Sequence, residues 1–144
     1  MLLFDEKVNL KATAQKVDDF FTSDYGRLKR MASITTIKAT SFGEKVSSGK
    51  REELADKYNK AVWARNVLEA VEDSIMACDE KSKLILELKY KKHYRIWQIY
   101  QRLGYSESGY NKLRVIACNQ FADAFEALAE PLLEEKSDLH VYEK

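Results

Sequence analysis

Ser106, Glu107, Ser108, Asn111 and Lys112 lie close together in RLGYSESGYNKLRV, residues 102–115. They bring hydroxyls, a carboxylate, an amide and an ammonium to the start of one helical segment. Such groups can read DNA: Asn suits adenine, Glu the cytosine amino group, and Lys guanine or phosphate. Arg95, Arg102, Lys91 and Lys92, with Lys89, precede them and would make sequence-independent phosphate contacts. Gly109 would permit close backbone approach, although Gly costs a helix about 1 kcal/mol relative to Ala.

Positioning these groups takes two helices and a short turn. Ile96, Trp97, Tyr100 and Leu103 form the apolar side of a helix over about 94–103, and Gly104 fits the residue past its end. Ser106 is the expected N-cap of the next helix. There Tyr110, Leu113, Ala117, Phe121 and Ala124 share an inward face, leaving Ser108, Lys112 and Val115 opposite, flanked by Gly109 and Asn111. Pro131 should end that helix. On the residues alone two readings stand: a DNA-reading helix-turn-helix, and a structural hairpin whose basic face is merely solvated.

The rest of the chain reads as support. Apolar residues make up 45% and charged residues 33%, with five Gly and one Pro, which favours an ordered helical protein. Val17, Phe20, Phe21, Leu28 and Met31 mark a first helix with Thr13 near its cap and Gly26 as a weak point. The Ser- and Thr-rich stretch 33–51 reads as a mobile loop. From 52 to 78, Leu54, Tyr58, Val62, Val67, Leu68, Val71 and Ile75 recur at helical steps. Asp79 should cap a further helix that turns Leu84, Ile85 and Leu88 inward. The expectation is an all-α helical bundle with a C-terminal helix-turn-helix. It divides into an N-terminal region 1–78, a helix-turn-helix region 79–130 and an acidic tail 131–144.

Charge is uneven. The net charge is +1, yet nine basic residues face two acidic ones between Lys81 and Val115, and seven acidic residues face two basic ones from Ala122 to Lys144. The tail, expected to fray, could screen the basic block.

Other chemistry finds little support. GEKVSSGKRE spaces Gly43 and Gly49 one residue too widely for a phosphate-binding loop. His93 reads as a surface or phosphate-contacting residue and His140 as a tail residue, neither with an acid at metal-ligand spacing. Cys78 and Cys118 are too few for a disulfide framework, and Cys118 beside Ala117 reads as a buried small hydrophobe. We expect no catalysis, cofactor or metal. MLLFDEKVNL lacks the character of a signal peptide, and no run is long enough to span a membrane, so the expectation is a cytoplasmic protein without a membrane partner.

LILELKYKKHYRIWQIYQRLGYSESGYNKLRVIACNQFADAF resembles the C-terminal half of the ArpU family of phage late transcriptional regulators, and LKATAQKVDDFFTSDYGRLKRMA resembles that family's opening. The C-terminal segment is also similar to the helix-turn-helix of region four in bacterial sigma factors. Leu103, Gly104, Tyr105, Ser106, Ser108, Tyr110, Leu113, Phe121 and Ala122 carry the match, most of them turn or core positions. Gly109 and Asn111 depart from it beside the reading face. The resemblance implies a phage or prophage regulator that binds double-stranded DNA upstream of late genes in the host cytoplasm. RNA polymerase and a second copy of the chain are further candidate partners. A helical protein-interaction module and a DNA-packaging adaptor remain the alternatives.

Overall fold

The computed structural model describes residues 7–41, 48–133 and 138–143, with side chains in 35–41, 48–51 and at 54 outside that description. The helices are α1 (Leu10–Asp19), α2 (Tyr25–Ser41), α3 (Ser48–Ala77), α4 (Glu80–Leu86), α5 (Ile96–Leu103) and α6 (Glu107–Ala129). Among the described residues no strand forms, and the fold is all-α.

The first helix starts earlier than its sequence suggests. Asn9 caps it, with Oδ1 accepting from the Ala12 N–H at 3.1 Å. Thr13, the expected cap, is buried inside α1, where its Oγ1 accepts from the Val141 N–H at 2.9 Å. Gly26 does not break the run. Instead the backbone widens into a π-turn over Phe20–Asp24, closed by the Tyr25 N–H on the Phe20 carbonyl. Phe20 and Phe21, sequence neighbours, both reach the core there.

The loop expected at 33–51 is helical to Ser41 and again from Ser48, and its remainder, 42–47, lies outside the described residues. Pairing of α2 with α3 along their lengths outweighs the weak helix propensity of Ser and Thr. The buried face of α3 runs Ala61, Ala64, Val67, Ala70, Val71, Ser74 and Ile75. Tyr58, expected inward, is exposed, and the side chain of Leu54 lies outside the described residues.

Asp79 caps α4 as expected: its Oδ1 accepts from the Ser82 N–H at 2.8 Å. The same residue ties α4 to α6, since its N–H donates to Gln120 Oε1 at 3.0 Å and its Oδ2 accepts from Gln120 Nε2 at 2.6 Å. Ile85, Leu86 and Leu88 are buried, whereas Leu84, expected inward, is 40% exposed. A second π-turn, Glu87–Lys91, follows and buries Tyr90. The two π-turns meet where Phe21 stacks on Tyr90, with ring centroids 4.2 Å apart and planes 10° from parallel.

The hub is α6, which packs against α1, α3, α4 and α5. Its Phe121 and Phe125 stack at 5.4 Å and face Phe20, so one aromatic cluster joins both ends of the chain. Pro131 falls in the turn Glu130–Leu132 that ends α6. The tail does not fray over 138–143: Leu139 and His140 are buried, and Val8 and Tyr142 form an antiparallel bridge. The Asn9 N–H donates to the Val141 carbonyl at 2.7 Å and the Glu143 N–H to the Lys7 carbonyl at 2.8 Å. Residues 134–137 and Lys144 lie outside the described residues.

Candidate nucleic-acid interface

Between α5 and α6 the chain turns through three residues, each with a local reason. Gly104 closes α5 at φ 76°, a left-handed conformation that L side chains rarely adopt. The Tyr105 N–H returns to the Tyr100 carbonyl at 2.9 Å, satisfying the helix end. Ser106 is the N-cap of α6, its Oγ accepting from the Gly109 N–H at 3.1 Å. Gly109 packs closely on this turn. A Cβ there would stand 3.3 Å from Ser106 Oγ and 3.7 Å from the Tyr105 ring.

Glu107, Ser108, Asn111 and Lys112 are exposed on the first turns of α6. Val115 is half-buried: it packs against the core and also lines the groove that these residues share, and Ile116 beside it is 48% exposed. Inward, Tyr110, Ala117, Cys118 and Phe121 are fully buried. The inward face of α5 is Ile99, with Tyr100 and Leu103 packed against the core. Ile96 and Trp97, expected there, are 44% and 49% exposed. Helix α5 starts at Ile96, after Arg95, and its buried residue is Ile99.

The exposed face forms one wall of a groove of about 1470 Å³. Ser106–Ser108, Asn111, Lys112 and Arg114–Ile116 line it from the α6 side; Lys7–Lys11, Gln15 and Glu143 line it from the opposite side. The N-terminal ends of α1 and α6 thus open on the same space. The spacing within α6 gives no sign of this second wall, because the packing of α1 on α6, together with the bridge between the chain ends, brings Lys7 and Lys11 beside it.

The basic block divides. Lys89 pairs with Asp18 at 3.0 Å, and Lys91 with Glu72 at 2.8 Å. Asp18 also accepts from the Tyr90 hydroxyl at 2.8 Å. Burial pushes the Asp18 carboxyl up, but the Tyr90 and Lys89 hydrogen bonds outweigh it and hold the group below its ordinary range. In this structure both lysines are therefore paired with carboxylates, Lys91 at the surface and Lys89 partly buried. Arg102 lies over the Tyr94 ring at 5.8 Å and donates to its hydroxyl at 3.4 Å. Lys92 and Arg95 are exposed and, among the described residues, have no carboxylate partner within salt-bridge reach. The same holds for Lys7, Lys11, Lys112 and Arg114. His93 is exposed with φ 57°, in the reversal where the Tyr94 N–H returns to the Leu88 carbonyl at 2.9 Å.

His140, expected to be a plain tail residue, is buried among carboxylates. Its Nε2 lies 2.6 Å from Asp123 Oδ1, and its Nδ1 lies 2.5 Å from Asp138 Oδ1 and 3.4 Å from Glu126 Oε2. A neutral imidazole has one N–H to offer, so carboxylates at both nitrogens favour the imidazolium. Burial pulls this histidine down, yet the hydrogen bonds to Asp123 and Asp138 carry it above its ordinary range. Glu126, Asp138 and His140 also offer ligand atoms within 4.8 Å of one another, a set that could hold a metal. The close Nδ1 to Asp138 approach fits direct charge pairing better, because it leaves no room for an ion between the two atoms. Both cysteines are buried, and burial pushes the Cys78 thiol up to about 11. Among the described residues no helix is long and apolar enough to cross a membrane.

Comparison with protein-family models, with curated proteins and with solved structures finds no match to this chain.

Proposed function

We propose that the chain is a sequence-specific, non-enzymatic regulator that binds double-stranded DNA, with α5 and α6 acting as a helix-turn-helix and α6 as the reading helix. The observation that carries this reading is the division within α6. Hydrogen-bonding and cationic side chains are exposed over its first turns, and beyond them one face, Ala117, Cys118, Phe121, Ala122, Phe125 and Ala129, is buried in the core. A helix read by its N-terminal residues needs that arrangement. The resemblance to ArpU regulators supports placing the protein among phage or prophage late-gene regulators acting in the host cytoplasm. Glu107, Ser108, Asn111 and Lys112 would reach base edges, and Lys92 and Arg95 would meet phosphates.

Exposed Ile96 and Trp97 favour a second reading, in which this face of α5 meets another protein, RNA polymerase or a second copy of the chain. Selection of bound duplexes from a random library separates the two. DNA reading is expected to yield a recovered motif whose preference collapses in the Ser108→Ala, Lys112→Ala double variant. A library that returns no motif, with wild type and variant alike, would turn the search to protein partners.

A further inference from the structure

The groove beside α6 has a second wall with chemistry of its own. Lys7 and Lys11 are exposed on it, and neither has a carboxylate partner within reach among the described residues. This wall is a built element rather than a loose arm. Asn9 caps α1, the Asn9 N–H is bonded to Val141, and the Lys7 carbonyl accepts from the Glu143 N–H. Asn119 Nδ2, one turn beyond Val115 on α6, donates to the Leu10 carbonyl at 3.0 Å, which fixes the wall to the reading helix.

An α-helix with its side chains is about 10–12 Å across, and the major groove of B-DNA about 12 Å wide. A helix seated there fills the groove, so an element fastened alongside it meets the phosphate ridge that bounds the groove. We propose that Lys7–Lys11 is a second, sequence-independent DNA contact, in which the Lys7 and Lys11 ammoniums bind backbone phosphates flanking the base pairs that α6 reads. This inference rests on the DNA-binding reading of α6 and names a part of the interface that the turn does not contain. Glu143 lines the same groove from the C-terminal side and opposes the incoming phosphates. It gives the acidic tail a local role in lowering affinity.

The test is fluorescence anisotropy of the full chain on a random-sequence duplex across salt concentrations, with Lys7→Gln, Lys11→Gln and Glu143→Gln variants and thermal melts to verify folding. Each lost phosphate contact should flatten the slope of log affinity against log salt by about 0.9, so the double lysine variant should lose about 1.8. Its base preference, measured on a selected motif, should not change. Glu143→Gln should tighten binding a few-fold at low salt. A folded double variant with the wild-type slope would overturn this inference while leaving α6 as reader. Absence of duplex binding by the wild type itself at low salt would overturn both, and loss of affinity confined to poly-glutamate would make the wall a site for acidic protein.

Discussion

Along α6, Glu107, Ser108, Asn111 and Lys112 are exposed, whereas Ala117, Cys118, Phe121, Ala122 and Phe125 are buried in the aromatic centre of the bundle. One uninterrupted helix therefore does two jobs. Its second half is gripped by α1, α3 and α4, and that grip sets the direction in which the first half projects. The same contrast separates the cations. Lys89 and Lys91 pair with Asp18 and Glu72, while Lys112 and Arg114 stand at the groove without such partners among the described residues. In the proposed reading, presentation of the side chains that meet DNA depends on the half that stays in the core.

That contrast can be broken from its buried side. Phe121→Ala, which removes a ring packed on Phe20, Phe21 and Phe125, is expected to cost about 3–5 kcal/mol, visible as a lower urea midpoint. Duplex binding should be lost with the fold. The exposed half should respond in the opposite way. Asn111→Ala is expected to leave the urea midpoint within about 0.5 kcal/mol of wild type. It should relax discrimination at one base position by about 1–3 kcal/mol, measured by competition with single-base variants of the selected site. A stability loss as large as that of Phe121→Ala would mean Asn111 belongs to the core.

Between these halves stands the cap. Ser106→Ala should cost about 1 kcal/mol in chemical denaturation, because the Gly109 N–H loses its acceptor. The smallest effect concerns the clamp that holds the C-terminal segment against α1 and α6. His140 faces Asp123 and Glu126 from α6 and Asp138 from its own segment. Asp138 in turn accepts from the Tyr142 hydroxyl at 2.7 Å, and its carbonyl from Lys16 Nζ at 2.7 Å. A histidine raised on folding stabilises fully below its unfolded value of about 6.5 and loses that contribution as pH rises through the folded value. Burial pushes Asp138 up, but the Tyr142 and His140 hydrogen bonds hold it low, so its contribution is present above the ordinary carboxyl range and is lost as pH falls. Denaturation midpoints of the wild type should therefore decline on the alkaline side of pH 6.5 more than those of His140→Gln; parallel curves would show that the imidazole carries no such charge.

What the sequence showed well was local. Asp79, Gly104, Ser106 and Pro131 act where expected, since a cap or a helix end is decided by a few neighbouring residues. Which face of a helix turns inward was harder to read. Leu84, Ile96 and Trp97 are exposed, and the π-turn at Glu87–Lys91 between α4 and α5 interrupts the uniform period that placed them inward. Least legible was what distant segments bring together. The pairing of Lys89 with Asp18, the acids around His140 and the sharing of one groove by Lys7 and Lys112 arise only when segments distant in sequence pack together. The helical spacing of α6 marked Ser108, Lys112 and Val115 as outward; the first two are exposed, and Val115 is half-buried between the core and the groove.

The most direct test of α6 as a divided helix is amide chemical-shift mapping of the full chain titrated with a selected duplex. Shifts concentrated at 106–112 and 7–11, with Phe121–Ala129 little changed, are the result this account predicts. Shifts confined to the outer face of α3, or to Ile96 and Trp97 alone, would contradict it.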